Sequence, residues 1–194
     1  MLENYKKHVA ERAEQNIPPL PLDADQTYEL IKLLKEDHQE SDFLLNLLKE
    51  RVPAGVDQAA YVKAAFLADI TTGKASSPYI TKIDAVKILG TMLGGYNIQP
   101  LIECLKDNEL AEAAAHVLSR TLLIFDAFNE IFELSKTNEH AKKVVEEWAN
   151  ATWFTEKTDI EEQIKLTVYK VTGEINTDDL SPAPDAWSRP DIPL

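Results

Sequence analysis

The 194 residues carry 33 Asp and Glu against 20 Lys and Arg, a formal net charge of −13, with 44% hydrophobic and 27% charged residues. The apolar content suits an ordinary globular core, no apolar run approaches the roughly 20 residues that cross a bilayer, and the charge opposes tight non-specific binding to phosphate backbones, which needs Lys and Arg to displace counterions. The N-terminal stretch MLENYKKHVAERAEQN is charged throughout where a signal peptide needs an apolar core, so the expected location is the cytoplasm, with no membrane partner.

Chain length allows one domain with a real core, or one domain and part of another. The single cysteine, Cys104, excludes an intrachain disulfide and any multi-cysteine metal or iron–sulfur site built from this sequence alone. The adjacent basic pairs Lys6-Lys7 and Lys142-Lys143 lie among carboxylates and read as solvated helix faces.

From Leu2 to about Phe154 apolar residues recur at helical spacing, with helix-ending residues between the segments. The first helix is expected over Leu2–Gln15, with Leu2, Tyr5, Val9 and Ala13 inward, and Pro18-Pro19-Leu20-Pro21 stops it. Asp23 or Asp25 caps a second, whose stripe is Tyr28, Leu30, Ile31 and Leu34; Ser41 caps a third with Phe43, Leu44, Leu47 and Leu48 inward. Asp57 starts a fourth, packed through Tyr61, Ala64, Ala65, Leu67 and Ala68 and ended near Gly73; Thr81 starts a fifth running toward Gly94-Gly95. Helices over Ile98–Lys106, Leu110–Ser119, Leu122–Leu134 and His140–Trp153 follow. The fold class is mainly α, a HEAT-like α-solenoid of antiparallel helix pairs, with an irregular bundle as the alternative because no strict period recurs.

The character changes after Thr155-Glu156-Lys157. A short helix near Asp159–Gln163 leads to Lys165–Thr172, whose β-rich composition suits a half-buried strand, and Gly173 ends it. One strand makes no sheet, so its partners lie outside this sequence. Residues 1–156 are therefore read as one helical domain, and 157–194 as the beginning of a β-containing one.

Chemistry-bearing residues are sparse. Gly90, Gly94 and Gly95 fit neither a dinucleotide nor a P-loop spacing; Gly94-Gly95 reads as a helix end and Gly90 as a close helix contact. Cys104 falls on an apolar helix face as an inert thiol. His8, His38, His116 and His140 have no metal-ligand spacing; His116, between Ala115 and Val117, is expected to be half-buried. The tail from Asn176 to Pro190 is different, because it places hydroxyls, carboxylates and Arg189 in a loop after a strand, where binding groups are commonly held. Arg189 suits bidentate contact with a carboxylate; the alternative is a solvated linker in which it pairs with Asp185 or Asp191, and the residues alone leave both open.

That tail, TGEINTDDLSPAPDAWSRPDIPL, resembles the start of the swivel domain of the aconitase B family, bifunctional aconitate hydratases and 2-methylisocitrate dehydratases. MLENYKKHVAER, RVPAGVDQAAYVKAAFLA and ILGTMLGGYNIQPLIECL are similar to that family's N-terminal HEAT-like domain, in the same order. The resemblance implies a tricarboxylic acid cycle hydro-lyase that interconverts citrate and isocitrate through cis-aconitate on a [4Fe–4S] cluster. In this family the helical domain shapes a channel to the active site and is associated with protein–protein contact, homodimer formation and messenger RNA binding.

Residue by residue, the family's T-D-x-[IL]-S motif matches Thr177, Asp178, Asp179, Leu180 and Ser181, and the following carboxylate-binding Arg matches Arg189. The resemblance makes Arg189 a substrate contact, with Thr177, Asp178 and Ser181 as active-site loop residues. The family's cluster cysteines, catalytic serine, its companion Arg and its His–Asp groups find no counterpart. The expectation is therefore a chain with no catalytic residue and no bound metal of its own, accessory to the enzyme and inactive alone; the alternative is a stand-alone helical interaction module.

Overall fold

Short polar side chains set where the helices begin. A computed structural model describes residues 1–121, 124, 127–156, 162–168, 170, 172–173 and 175–176. Among them ten α-helices follow in order: α1 Leu2–Glu14, α2 Ala24–Leu34, α3 Ser41–Asn46, α4 Gln58–Thr71, α5 Lys82–Leu89, α6 Ile98–Cys104, α7 Ala111–Leu118, α8 Phe128–Leu134, α9 Glu139–Ala149 and α10 Thr152–Thr155. Asp23 accepts from the Gln26 amide while the Gln26 side chain accepts from the Asp23 amide, satisfying two donors at the start of α2. Thr81 and Asp84 form the same reciprocal box at α5. Asp57 caps α4 through the Ala60 amide. Asn138 caps α9 through the Ala141 amide and donates to the Leu105 carbonyl, which ties α9 to the end of α6.

Buried apolar side chains from Tyr5 to Val144 form one continuous cluster. Helix α4 packs on α2 and α5, α7 on α5, α6 and α9, and α8 and α10 on α9, so contact passes along the chain. Between α4 and α5 the backbone turns at Gly73, whose φ of +75° suits a residue without Cβ at a helix end.

Several expectations are corrected. Ala13, Tyr28, Tyr61 and Ala65 are exposed; the Lys32 ammonium lies over the Tyr28 ring, so both stay at the surface. Ser41 is the first helical residue and makes no cap, and the chain after α3 widens into a π-helical turn, Leu47–Arg51, that still buries Leu47 and Leu48. Helix α5 stops at Leu89, before the glycines at 94 and 95. The expected helix over 122–134 is described as α8 only from Phe128. The expected helix His140–Trp153 is two, broken where Ala151 adopts φ +51°. Residues 162 and 163 are not helical, and 165–168, 170 and 172 are not in a strand; Leu166 and Val168 are exposed where half-burial was expected. A strand without neighbours has no ladder to hold it, which accounts for that difference.

The close contacts of two glycines decide how the middle of the molecule packs. A Cβ on Gly90 would lie 2.6 Å from Val117 Cγ1, so α5 meets α7 at that point through a missing side chain. A Cβ on Gly94 would lie 1.9 Å from the Gly55 carbonyl oxygen, a backbone atom that cannot rotate away. Around it the Leu93 and Gly94 amides donate to the Ala54 carbonyl at 2.7 and 3.2 Å, and the Tyr96 hydroxyl donates to the Val56 carbonyl at 2.9 Å. Gly94→Ala is expected to destabilise the fold by about 3 kcal/mol or more, whereas Thr81→Ala, which removes only a cap, costs about 1 kcal/mol. Urea denaturation of the two variants beside the parent chain measures both.

Candidate functional site

The residues expected to touch substrate, Thr177, Asp178, Ser181 and Arg189, lie outside the described residues. The described part places ionisable groups elsewhere. Between the π-helical turn and α5 lies a cleft of about 480 Å³, lined by Lys49, Glu50, Ala54, Asp84, Lys87, Ile88 and Thr91. Two ammonium groups answer two carboxylates there, so the lining has no strong preference for a charged ligand. The Asp84 carboxyl is held below its ordinary value, first by the Thr81 side chain and amide and then by the charges of Lys87 and Lys49.

Lys63 on α4 was not singled out by sequence patterning and is the unusual ionisable group of the described residues, being only 1% exposed. Burial lowers its pKa from 10.5 to about 8, opposed by the Glu50 carboxylate. A sequence signal exists: Lys63 shares a helix face with Ala59, Ala60, Phe66 and Leu67, all buried. An ammonium in that stripe is the exception to an apolar pattern.

Cys104 is buried in α6, as expected; burial pushes its thiol pKa up, against the effect of a hydrogen bond with Thr71. His116, expected half-buried, is exposed; partial desolvation and then the Arg120 charge hold its imidazole below its usual value. Among the described residues no three His, Cys, Asp or Glu side chains are grouped to hold a metal ion, and no helix is long and apolar enough to cross a membrane.

The position of Lys63 makes a pH-dependent prediction. Its folded pKa lies below its unfolded value, so between about pH 8 and 10.5 the unfolded chain binds more protons, and stability contributed by this group rises with pH across that window. Below it the full penalty applies, on the order of 3 kcal/mol by the shift. Lys63→Met is expected to stabilise the fold at pH 7 by about 1–3 kcal/mol, a gain that shrinks as pH approaches 10. Denaturant midpoints of the two proteins across pH 6.5–10, a range set by these pKa values, measure it; a gain independent of pH would contradict it.

Comparison with known proteins covers both parts of the chain. Residues 4–154 match the family described as the aconitate B N-terminal domain, and residues 166–194 match the family described as the aconitate hydratase 2 N-terminus. The chain is 59% identical over 196 aligned residues to aconitate hydratase B of Escherichia coli K12, 56% over 197 to that of Synechocystis, and 49% over 195 to that of Helicobacter pylori J99. Each alignment includes 100% of this chain and 23% of the relative, so the chain spans under a quarter of the length of the proteins it matches.

Proposed function

Because the chain belongs to the aconitate hydratase B family, we propose that it is the N-terminal, accessory part of a hydro-lyase that interconverts citrate and isocitrate through cis-aconitate and also dehydrates 2-methylisocitrate. The observation that carries this reading is a similarity that runs through both parts of the chain, with 59% identity to one relative and a second family match beginning at residue 166. In this reading residues 1–156 are a HEAT-like solenoid that shapes the approach to the active site, and 157–194 open the swivel domain. The progression of contacts from α2 to α4, α5, α7 and α9 supports the solenoid. Self-association of the helical part and contact with messenger RNA are further proposals from kinship; a strict monomer in size-exclusion chromatography would count against the first.

Aconitase chemistry implies a [4Fe–4S] cluster, and the residues of this chain do not fit one. The sole cysteine, Cys104, is buried in α6 with its thiol pKa raised, the opposite of a thiolate ligand. No catalytic step is therefore assigned to the described residues. The chain's own contribution to the reaction is the loop at 177–189. Arg189 would hold one carboxylate of the substrate through two parallel N–H···O bonds, while Thr177, Asp178 and Ser181 would position the loop around it.

Two measurements test this. The 194-residue chain, after anaerobic treatment with iron and sulfide, is expected to form no cis-aconitate from citrate, and measurable turnover would overturn the assignment. Reading the coding sequence beyond Leu194 is expected to show continuation into a cysteine-bearing aconitase core. In that longer protein Arg189→Lys is expected to lower kcat/KM by about 10- to 150-fold, the equivalent of losing hydrogen bonds to a charged group worth about 1.5–3 kcal/mol.

A further inference from the structure

Two histidines accept hydrogen bonds from backbone amides, and both contacts bear on how the first helix is attached. Nε2 of His8, on α1, accepts from the Leu20 amide at 3.0 Å, and Nδ1 of His38 accepts from the Glu40 amide at 3.1 Å. An imidazole accepts only through a nitrogen that carries no proton, so His8 is held with its proton on Nδ1 and His38 with its proton on Nε2. When either ring takes up a second proton, both of its nitrogens become donors and the amide opposite loses its acceptor.

Helix α1 depends on such polar contacts because little of it is buried. Tyr5 is its only fully buried residue, and Leu2 and Val9 are half-buried. The proline-rich strap 17–22 that leaves α1 is clasped by the Tyr5 hydroxyl on the Leu20 carbonyl at 2.9 Å, by Arg12 on the Pro18 carbonyl and by Arg51 on the Pro19 carbonyl. Those three side chains donate to the strap, whereas His8 accepts from it. A second attachment is the ion pair of Lys6, on α1, with the Glu40 carboxylate at 2.6 Å, and Glu40 is the residue whose amide His38 holds. A charged His38 would release that amide and compete with Lys6 for the carboxylate.

The ionisable groups around the two rings are few. Beside His8 are Tyr5 and Arg12 of its own helix and the Lys7–Glu11 pair, while Arg51 approaches through the Tyr5 hydroxyl; the strap itself has no ionisable side chain. Around His38 are Tyr79, whose hydroxyl lies 2.8 Å from the Asp37 carboxylate, and the Glu40–Lys6 pair.

We propose that α1 and its strap form an acid-sensitive clasp: neutral His8 and His38 hold it closed, and protonation of both frees α1 from the rest of the helical part. This regulatory device goes beyond the functional reading above and does not depend on it.

Nuclear magnetic resonance of the 194-residue chain tests it between about pH 8 and about pH 5, the span over which imidazoles ordinarily change charge. At the higher pH His8 is expected as the Nδ1–H tautomer and His38 as the Nε2–H tautomer; the reverse assignment for either ring would overturn the proposal. Lowering the pH is expected to speed amide exchange in α1 by roughly tenfold or more, after correction for the intrinsic pH dependence, which is the combined loss of two ordinary hydrogen bonds. The core amides of Leu67 and Leu101 are expected to keep their protection. His8→Gln with His38→Asn retains an acceptor oxygen at each position without titrating, and is expected to reduce the change in α1 to less than about twofold. Unchanged exchange of α1 in the wild-type chain would overturn the clasp, and so would a double variant that frees α1 as the wild type does, by assigning the release to carboxylates such as Glu40. If the double variant fails to fold, the tautomers and the wild-type exchange still decide.

Discussion

A contact between two loop backbones organises the middle of this molecule. Gly94 sits so close to the Gly55 carbonyl that no side chain fits between them, and the Leu93 and Gly94 amides both donate to Ala54. Helix α4 begins three residues after Gly55, and α6 begins four residues after Gly94. Joining the two loops therefore sets where α4, α5 and α6 enter the core. Asn97 completes the junction: fully buried, it donates to the Leu89 and Met92 carbonyls at 2.9 and 3.0 Å and so satisfies groups freed at the end of α5.

The two sequence stretches in that contact, RVPAGVDQAAYVKAAFLA and ILGTMLGGYNIQPLIECL, also carry the family resemblance. Their distinctive composition has a physical reason in the structure. The glycine at 94 permits the approach, Asp57 caps the helix that leaves it, and the Tyr96 hydroxyl and the Asn97 side-chain N–H groups donate to backbone carbonyls around it. The same region holds Lys63, whose buried ammonium has Glu50 as its electrostatic counterweight. The first stretch thus carries the backbone against which Gly94 packs and the least favourable charge of the described core.

Helix positions were legible in the sequence because their starts are written in capping chemistry. Asp23, Asp57 and Thr81 announce α2, α4 and α5, and the caps form as the residue types require. The π-helical turn after α3 was not legible, since Leu47 and Leu48 are buried in either geometry. Nor was the left-handed Ala151 that divides α9 from α10, because alanine carries no turn signal. Tyr28 and Tyr61 were misplaced for one reason: an aromatic ring at helical spacing is read as core, yet a phenol can lie at the surface with its hydroxyl in water. Of the candidate site, the readings of Arg189 and the Thr177–Ser181 motif rest on kinship and fall outside the described residues, while physical patterning alone left Arg189 between a ligand contact and a linker.

The glycine junction makes a claim about cooperativity that can be measured amide by amide. If the contact of 54–56 with 93–97 is part of the core rather than an ornament of two surface loops, its hydrogen bonds open only when the whole helical part unfolds. Native-state hydrogen exchange of the Leu93 and Gly94 amides, followed against low concentrations of denaturant, reads this directly. The expected result is an opening free energy and denaturant dependence equal to those of buried core amides such as Leu67 and Leu101. Exchange through a local opening, with little denaturant dependence and a free energy well below the global value, would contradict it.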